Sequence, residues 1–177
     1  MSSRHAPGLA ALLGIAALAA VAAPTGDAVA DFAVAEFGAA PPPSIFEIRG
    51  PVAEAAARIL GHACPQPRAR YWRADGRTAW VLEDRGKMGP IVAGFVIRDG
   101  RIAKGCVLAS REQRGRDIQS RRFLAQFDGV ALRADLTLDK RVDGLTGATI
   151  SSSAMRNMAR LALHLDAAAR APPVPVP

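Results

Sequence analysis

Apolar positions change their period several times along the chain. From Ile150 onward they fall at Ala154, Met155, Met158, Leu161, Ala162 and Leu165, the three-to-four residue spacing of a helix with one buried side. This predicts a long terminal helix over 151–169, with Arg156, Asn157, Arg160 and His164 on its opposite side. Residues 51–60 are alanine-rich, begin on proline and are followed by Gly61, which is the punctuation of a short helix. Between these lie strand-like segments, 68–73 and 78–83 around Asp75-Gly76, and 91–98 and 101–110 around Asp99-Gly100. Each Asp-Gly pair is a favoured two-residue hairpin turn. Residues 120–127 read as a further helix and 132–138 as an extended segment. Two hairpins without long crossovers define the fold class as α+β, a mainly antiparallel sheet with flanking helices in a single domain.

The ends of the chain read differently. Arg4 and His5 precede an apolar run over 8–23, and Ala28-Val29-Ala30 supplies a small-x-small pattern before Asp31. Residues 1–30 therefore read as a signal peptide, which directs the protein to the periplasm or the outer face of the cytoplasmic membrane. The run is somewhat short of the about 20 apolar residues of a spanning helix, and an uncleaved anchor is the alternative. Residues 31–44, with Pro41-Pro42-Pro43, read as an extended lead-in, 45–169 as the folded domain and 170–177 as a proline-rich tail. Without the leader 147 residues remain, a size that buries about 68–70% of its unfolded surface in one core.

One segment carries chemistry. In Asp143-Gly144-Leu145-Thr146-Gly147-Ala148-Thr149, two glycines permit a sharp turn directly before the terminal helix. Thr149, Ser151, Ser152 and Ser153 then bring hydroxyls to the helix start, where side-chain oxygens cap free N–H groups and the dipole favours an anion. Phosphate is the natural ligand of such a place. The ordinary reading of Thr149 is a threonine that happens to begin a helix.

The same stretch resembles the FMN-binding domain shared by flavin subunits of the sodium-pumping NADH:quinone oxidoreductase and the Rnf complex. In that family Asp, two residues, Ser or Thr, and Gly-Ala-Thr mark a threonine that carries FMN through a phosphoester. Thr149 matches the modified residue, and Asp143, Thr146, Gly147 and Ala148 match its surroundings. Upstream, Gly86-Lys87-Met88-Gly89-Pro90-Ile91 resembles the family's glycine-rich turn, with Lys87 and Met88 in place of an aromatic often found there. Arg111-Glu112-Gln113-Arg114-Gly115 resembles its Glu-containing loop, with Gln113-Arg114 in place of Thr-Pro, and Phe123, Gln126, Phe127 and Gly129 resemble the helix that follows.

The resemblance implies FMN bound covalently to Thr149, placed there by an FAD:protein FMN transferase. It also implies that Asp143, Thr146, Gly147, Ala148, Ser151, Gly89 and Glu112 surround the cofactor. Gly89, Glu112 and the backbone around Gln113 would approach the ring, and a cation such as Lys87 would raise its reduction potential. The function implied is that of an exported electron carrier serving a membrane-bound redox partner such as a cytochrome or iron–sulfur protein, not a stand-alone catalyst. The alternatives are a non-redox exported module that binds an anionic ligand or protein, and a flavoenzyme with its own small substrate. The latter lacks any evident acid or base.

Charge adds little. The net charge is +7, unchanged by loss of the leader, which takes Arg4 and Asp27 together. The densest basic stretch, Arg111, Arg114, Arg116, Arg121 and Arg122, suits an acidic partner, although a solvated arginine-rich surface explains it more simply. Nucleic acid is a poor partner for an exported chain with 5% aromatic residues. Cys64 and Cys106 are open to a disulfide or to free thiols, a buried thiol being the simpler reading of Cys106. Neither suits a metal or an iron–sulfur cluster. His5, His62 and His164 form no catalytic set, and Trp72 and Trp80 read as packing residues.

Overall fold

In the computed structural model, which describes residues 26–39, 41–112 and 117–171, both Asp-Gly pairs form turns with positive φ. Asp75 and Gly76 lie at 52° and 72°, and Asp99 and Gly100 at 51° and 71°, values at which the turn's twist suits antiparallel strands. The pairs join β2 (Arg68–Ala74) to β3 (Arg77–Arg85) and β4 (Pro90–Arg98) to β5 (Arg101–Ala109). The edge strand β1 (Ser44–Glu47) adds to β2, giving a five-stranded antiparallel sheet in the order β1-β2-β3-β4-β5. β3 and β4 pair along their whole length, from Arg77 opposite Arg98 to Arg85 opposite Pro90.

Strand alternation divides the core into two layers. Trp80, Leu82, Ile91, Ala93, Phe95 and Ile97 face one side, which is covered by α2 (Pro51–Leu60), α3 (Arg121–Leu124) with its following 3-10 turn (Ala125–Phe127), and α4 (Thr149–Arg170). Met155, Met158, Leu161, Ala162 and Leu165 of α4 enter this layer, as the spacing predicts. Trp80 is fully buried and stacks on Tyr71 with ring centroids 4.4 Å apart, while Trp72 is buried on the other side of the sheet. Both tryptophans are packing residues. Gly61 ends α2 in the left-handed conformation and donates its N–H to Ala57 O at 2.8 Å.

The second face corrects the sequence reading. Residues 31–44 are not extended throughout, because α1 runs Gly26–Phe37 and packs on β3 and β5. Its Val29, Phe32 and Ala33 are buried against Trp72, Ala79 and Val96. The Phe32 ring occupies the space that a side chain at position 94 would need, since a Cβ on Gly94 would lie 2.7 Å from Phe32 Cζ. Glu36 accepts from Lys104 Nζ at 2.5 Å, and Arg77 lies over the Phe37 ring at 5.1 Å. The expected cleavage position before Asp31 falls inside this helix.

Three smaller differences follow. Arg170 closes α4 instead of opening the tail, and residues 172–177 lie outside the described residues. Residues 132–138 fold back on themselves, with Leu136 at φ 64° and Leu132 bridged to Leu138. Ser120 does cap the predicted 120–127 helix, accepting from Phe123 N, but only its first turn is α-helical. The apolar run 8–23 also lies outside the described residues, among which no helix is long and apolar enough to cross a membrane.

Cys64 and Cys106 are both free. Cys64 packs against the layer beneath α4 and Cys106 against the layer beneath α1, so the sheet separates their side chains and the facing geometry of a disulfide is absent. Burial pushes the Cys106 thiol up to about 11, which suppresses the reactive thiolate. Alkylation of the denatured chain without reductant is expected to modify both cysteines, and a mass that lacks both adducts would contradict this arrangement.

Candidate functional site

The site forms where three distant segments meet at the first turn of α4. Gly147 is at φ 80°, a conformation that favours glycine, and it turns the chain into Ala148, whose N–H donates to Leu145 O at 3.0 Å. Gly144 has no positive φ, so only Gly147 needs its conformational freedom. Ala148 is the N-cap, and its carbonyl accepts the first intrahelical bond, from Ser152 N at 2.9 Å. Thr149 is therefore the first helical residue, followed by Ile150 and Ser151.

Sequence reasoning makes the hydroxyls caps, and the structure corrects this. Alanine has no oxygen to offer, and α4 carries no side-chain cap. Ser151 Oγ donates to Glu112 Oε2 at 2.7 Å, Ser152 Oγ to Thr149 O at 3.1 Å, and Ser153 Oγ accepts from Arg156 Nη2 at 2.8 Å. In an α-helix the first N–H groups have no intrahelical acceptor. Here the positive end of a 22-residue dipole is left to whatever anion arrives.

Glu112 joins the segments. Its Oε1 accepts from Met88 N at 2.7 Å while Oε2 holds Ser151, so one carboxylate ties the β3–β4 turn to the start of α4. That turn is closed by Gly86 N donating to Gly89 O at 2.8 Å, with Gly89 at φ 143°. Position 86 must be glycine, because a Cβ there would lie 2.5 Å from Glu112 Oε1 and 2.7 Å from Gly89 O.

These contacts enclose a cavity of about 510 Å³ lined by Lys87, Met88, Glu112, Gly147, Ala148, Thr149, Ile150 and Ser151. Its size lies within the ordinary range for small-molecule sites, about 300–1,000 Å³. Of the sequence-derived candidates, Thr149, Gly147, Ala148, Ser151 and Glu112 converge here. Asp143, Thr146 and Gly89 are not among the lining residues. Asp143 pairs with Arg141 at 2.7 Å on the surface and donates its N–H to Gln126 Oε1 at 2.8 Å, Thr146 is exposed, and Gly89 shapes the turn behind the cavity. Gln113, Arg114 and Arg116 lie outside the described residues.

Sequence reasoning did not assign Met88 or Ile150 to the site, although both line it. By spacing Ile150 continues the buried stripe of α4, yet it is 52% exposed and lines the cavity, while Ser151 and Ser152 are the buried residues of the first turn. Elsewhere His62 Nε2 meets the buried carboxylate of Asp84 at 2.8 Å. His164 is half-buried, and burial together with nearby Arg58 holds it below its ordinary range.

In this α+β domain an uncapped helix N-terminus, an exposed threonine at its first residue and the Gly147 turn before it form a place suited to a phosphate-bearing ligand. Residues 86–164, just under half of the chain, match the family model of the FMN-binding domain. This stretch belongs to that family, and the protein is a flavin-binding protein. The match begins at the glycine turn and ends within α4, and so contains every residue that lines the cavity. A search of the curated proteins finds no match to the chain.

Proposed function

We propose that the protein is an exported electron carrier whose FMN is joined through a phosphoester to Thr149. The observation that carries this reading is the position of Thr149, an exposed hydroxyl on the first residue of an uncapped 22-residue helix, opening into a cavity of flavin-compatible size. The donor set fits FMN. Helix N–H groups and Gly147 suit the phosphate, Lys87 supplies a cation, and Met88 and Ile150 supply apolar walls.

Attachment would use FAD and a separate FMN transferase. The Thr149 oxygen would attack the phosphorus on the riboflavin side of the pyrophosphate, the bond from that phosphorus to the bridging oxygen would break, AMP would leave carrying that oxygen, and the hydroxyl proton would pass to a base of the transferase. FMN exchanges one or two electrons, which lets its carrier link two-electron and one-electron partners. The chain's own residues position and insulate it. Glu112 fixes the distance between the glycine turn and α4, Ser151 is held by that carboxylate, and Lys87 favours negative charge in the cavity.

The leader-like N-terminus supports export, and a covalent tether suits a compartment in which lost cofactor is hard to replace. The partner would be a membrane-bound cytochrome or iron–sulfur protein, approached through a basic surface that includes the exposed Arg121 and Arg122. Coexpression with an FAD:protein FMN transferase, followed by denaturing electrophoresis, is expected to give a fluorescent flavin band at the mass of the chain. A dark band would favour the non-redox binding module instead.

A further inference from the structure

The large exposed apolar residues identified among the described residues are Val34, Ile45, Met88 and Ile150. Two of these four line the same cavity, and they are the two beside Thr149. Met88 and Ile150 are each 52% exposed, and their backbones are fixed from different directions. Met88 is held by its N–H bond to Glu112 at 2.7 Å inside the closed Gly86–Gly89 turn, and Ile150 lies in the first turn of α4. Glu112 links these two supports, so the backbone positions that carry both apolar side chains into the cavity lining are held relative to each other.

The cavity lining is therefore divided by chemistry. Lys87, Glu112, Ser151 and the helix N–H groups are polar, whereas Met88 and Ile150 are apolar. Exposed apolar surface is stabilised when a ligand covers it, and a methionine thioether is a soft, adaptable partner for an aromatic ring. A ligand that fits both parts is anionic at one end and flat and apolar at the other.

We propose that Met88 and Ile150 form a clamp on the isoalloxazine ring of the flavin carried by Thr149, an inference that rests on the attachment proposed above. The tether alone fixes only the phosphate, and the ribityl chain leaves the ring free to swing. The clamp turns this loose attachment into a held ring with restricted access to water. Met88 and Ile150 are thus positioning residues for the cofactor, and neither is needed for the phosphoester itself.

The test compares the flavinylated wild type with Met88→Ala, Ile150→Ala, the double variant and Met88→Leu, all coexpressed with the transferase. Quenching of flavin fluorescence by iodide reports ring exposure, and fluorescence anisotropy reports ring mobility. The double variant is expected to be labelled as fully as the wild type, with the quenching constant raised roughly twofold or more, since a formed pocket covers most of its ligand. Its anisotropy should fall, and Met88→Leu should restore most of the protection. Val34→Ala removes a comparably exposed apolar residue from α1, outside the cavity, and should leave quenching unchanged. A labelled double variant with wild-type quenching and anisotropy would overturn the clamp alone. Wild type that emerges without flavin would overturn the attachment, and the clamp with it.

Discussion

Thr149→Val is expected to eliminate covalent flavin completely while leaving the fold intact. Valine keeps the branched shape of threonine and a similar helix propensity, so the change removes only the hydroxyl. That hydroxyl does not cap α4, whose N-cap is Ala148, and the residue is exposed. The stability change should stay within about 0.5 kcal/mol, as for surface substitutions generally. Labelling and stability therefore separate cleanly in one variant. Thr149→Ser retains a nucleophilic oxygen and should keep part of the label. A melting curve alongside in-gel flavin fluorescence checks both statements, and a fluorescent valine variant would place the attachment elsewhere.

The second large effect is expected far from the flavin, at Asp166. This carboxylate is 1% exposed within α4. Thr78 Oγ1 donates to its Oδ1 at 2.5 Å, Trp80 Nε1 donates to Thr78 Oγ1 at 3.1 Å, and Arg170 Nε donates to its Oδ2 at 2.8 Å. The chain of bonds ties the far end of α4 to β3 through the buried Thr78 and Asp166, with the partly exposed Arg170 at its outer end. Asp166→Ala leaves the Thr78 hydroxyl without its acceptor, frees Arg170 and opens a gap. The combined cost should be about 3 kcal/mol, or roughly 10 °C in melting temperature for a domain of this size. Asp166→Asn keeps the volume and an acceptor but loses the charge, and should cost about half as much, on the same reasoning. Urea unfolding of both variants measures this, and a loss below about 1 kcal/mol for alanine would show that the network contributes little.

Much of the architecture can be read locally. The Asp-Gly turns, Pro51 and Gly61 around α2, and the apolar stripe of α4 each specify an element through neighbours a few residues away, and all appear in the structure. α1 could not be read in this way. Its helix depends on the missing side chain at Gly94, which makes room for Phe32, and nothing near Phe32 in sequence signals that space. β1 is four residues long and is defined by pairing with β2.

The site shows the same division. Thr149, Gly147 and Glu112 were legible because the motif prescribes their residue types. The roles of the serines were not, because Ala148 occupies the N-cap and Glu112 draws Ser151 away. Asp143 and Thr146 stand in the motif but outside the cavity lining, so the pattern around Thr149 includes residues that face outward. These exposed positions would be available to the proposed transferase reading the loop from outside. Met88 and Ile150 became visible only when exposure could be compared with the position of the cavity.

The most direct measurement is the intact mass of the protein isolated from its native host, followed by peptide mapping across residues 142–156. The account predicts a mass increase equal to FMN joined by loss of one water, carried entirely on Thr149. An unmodified polypeptide, or flavin released on denaturation, would contradict it.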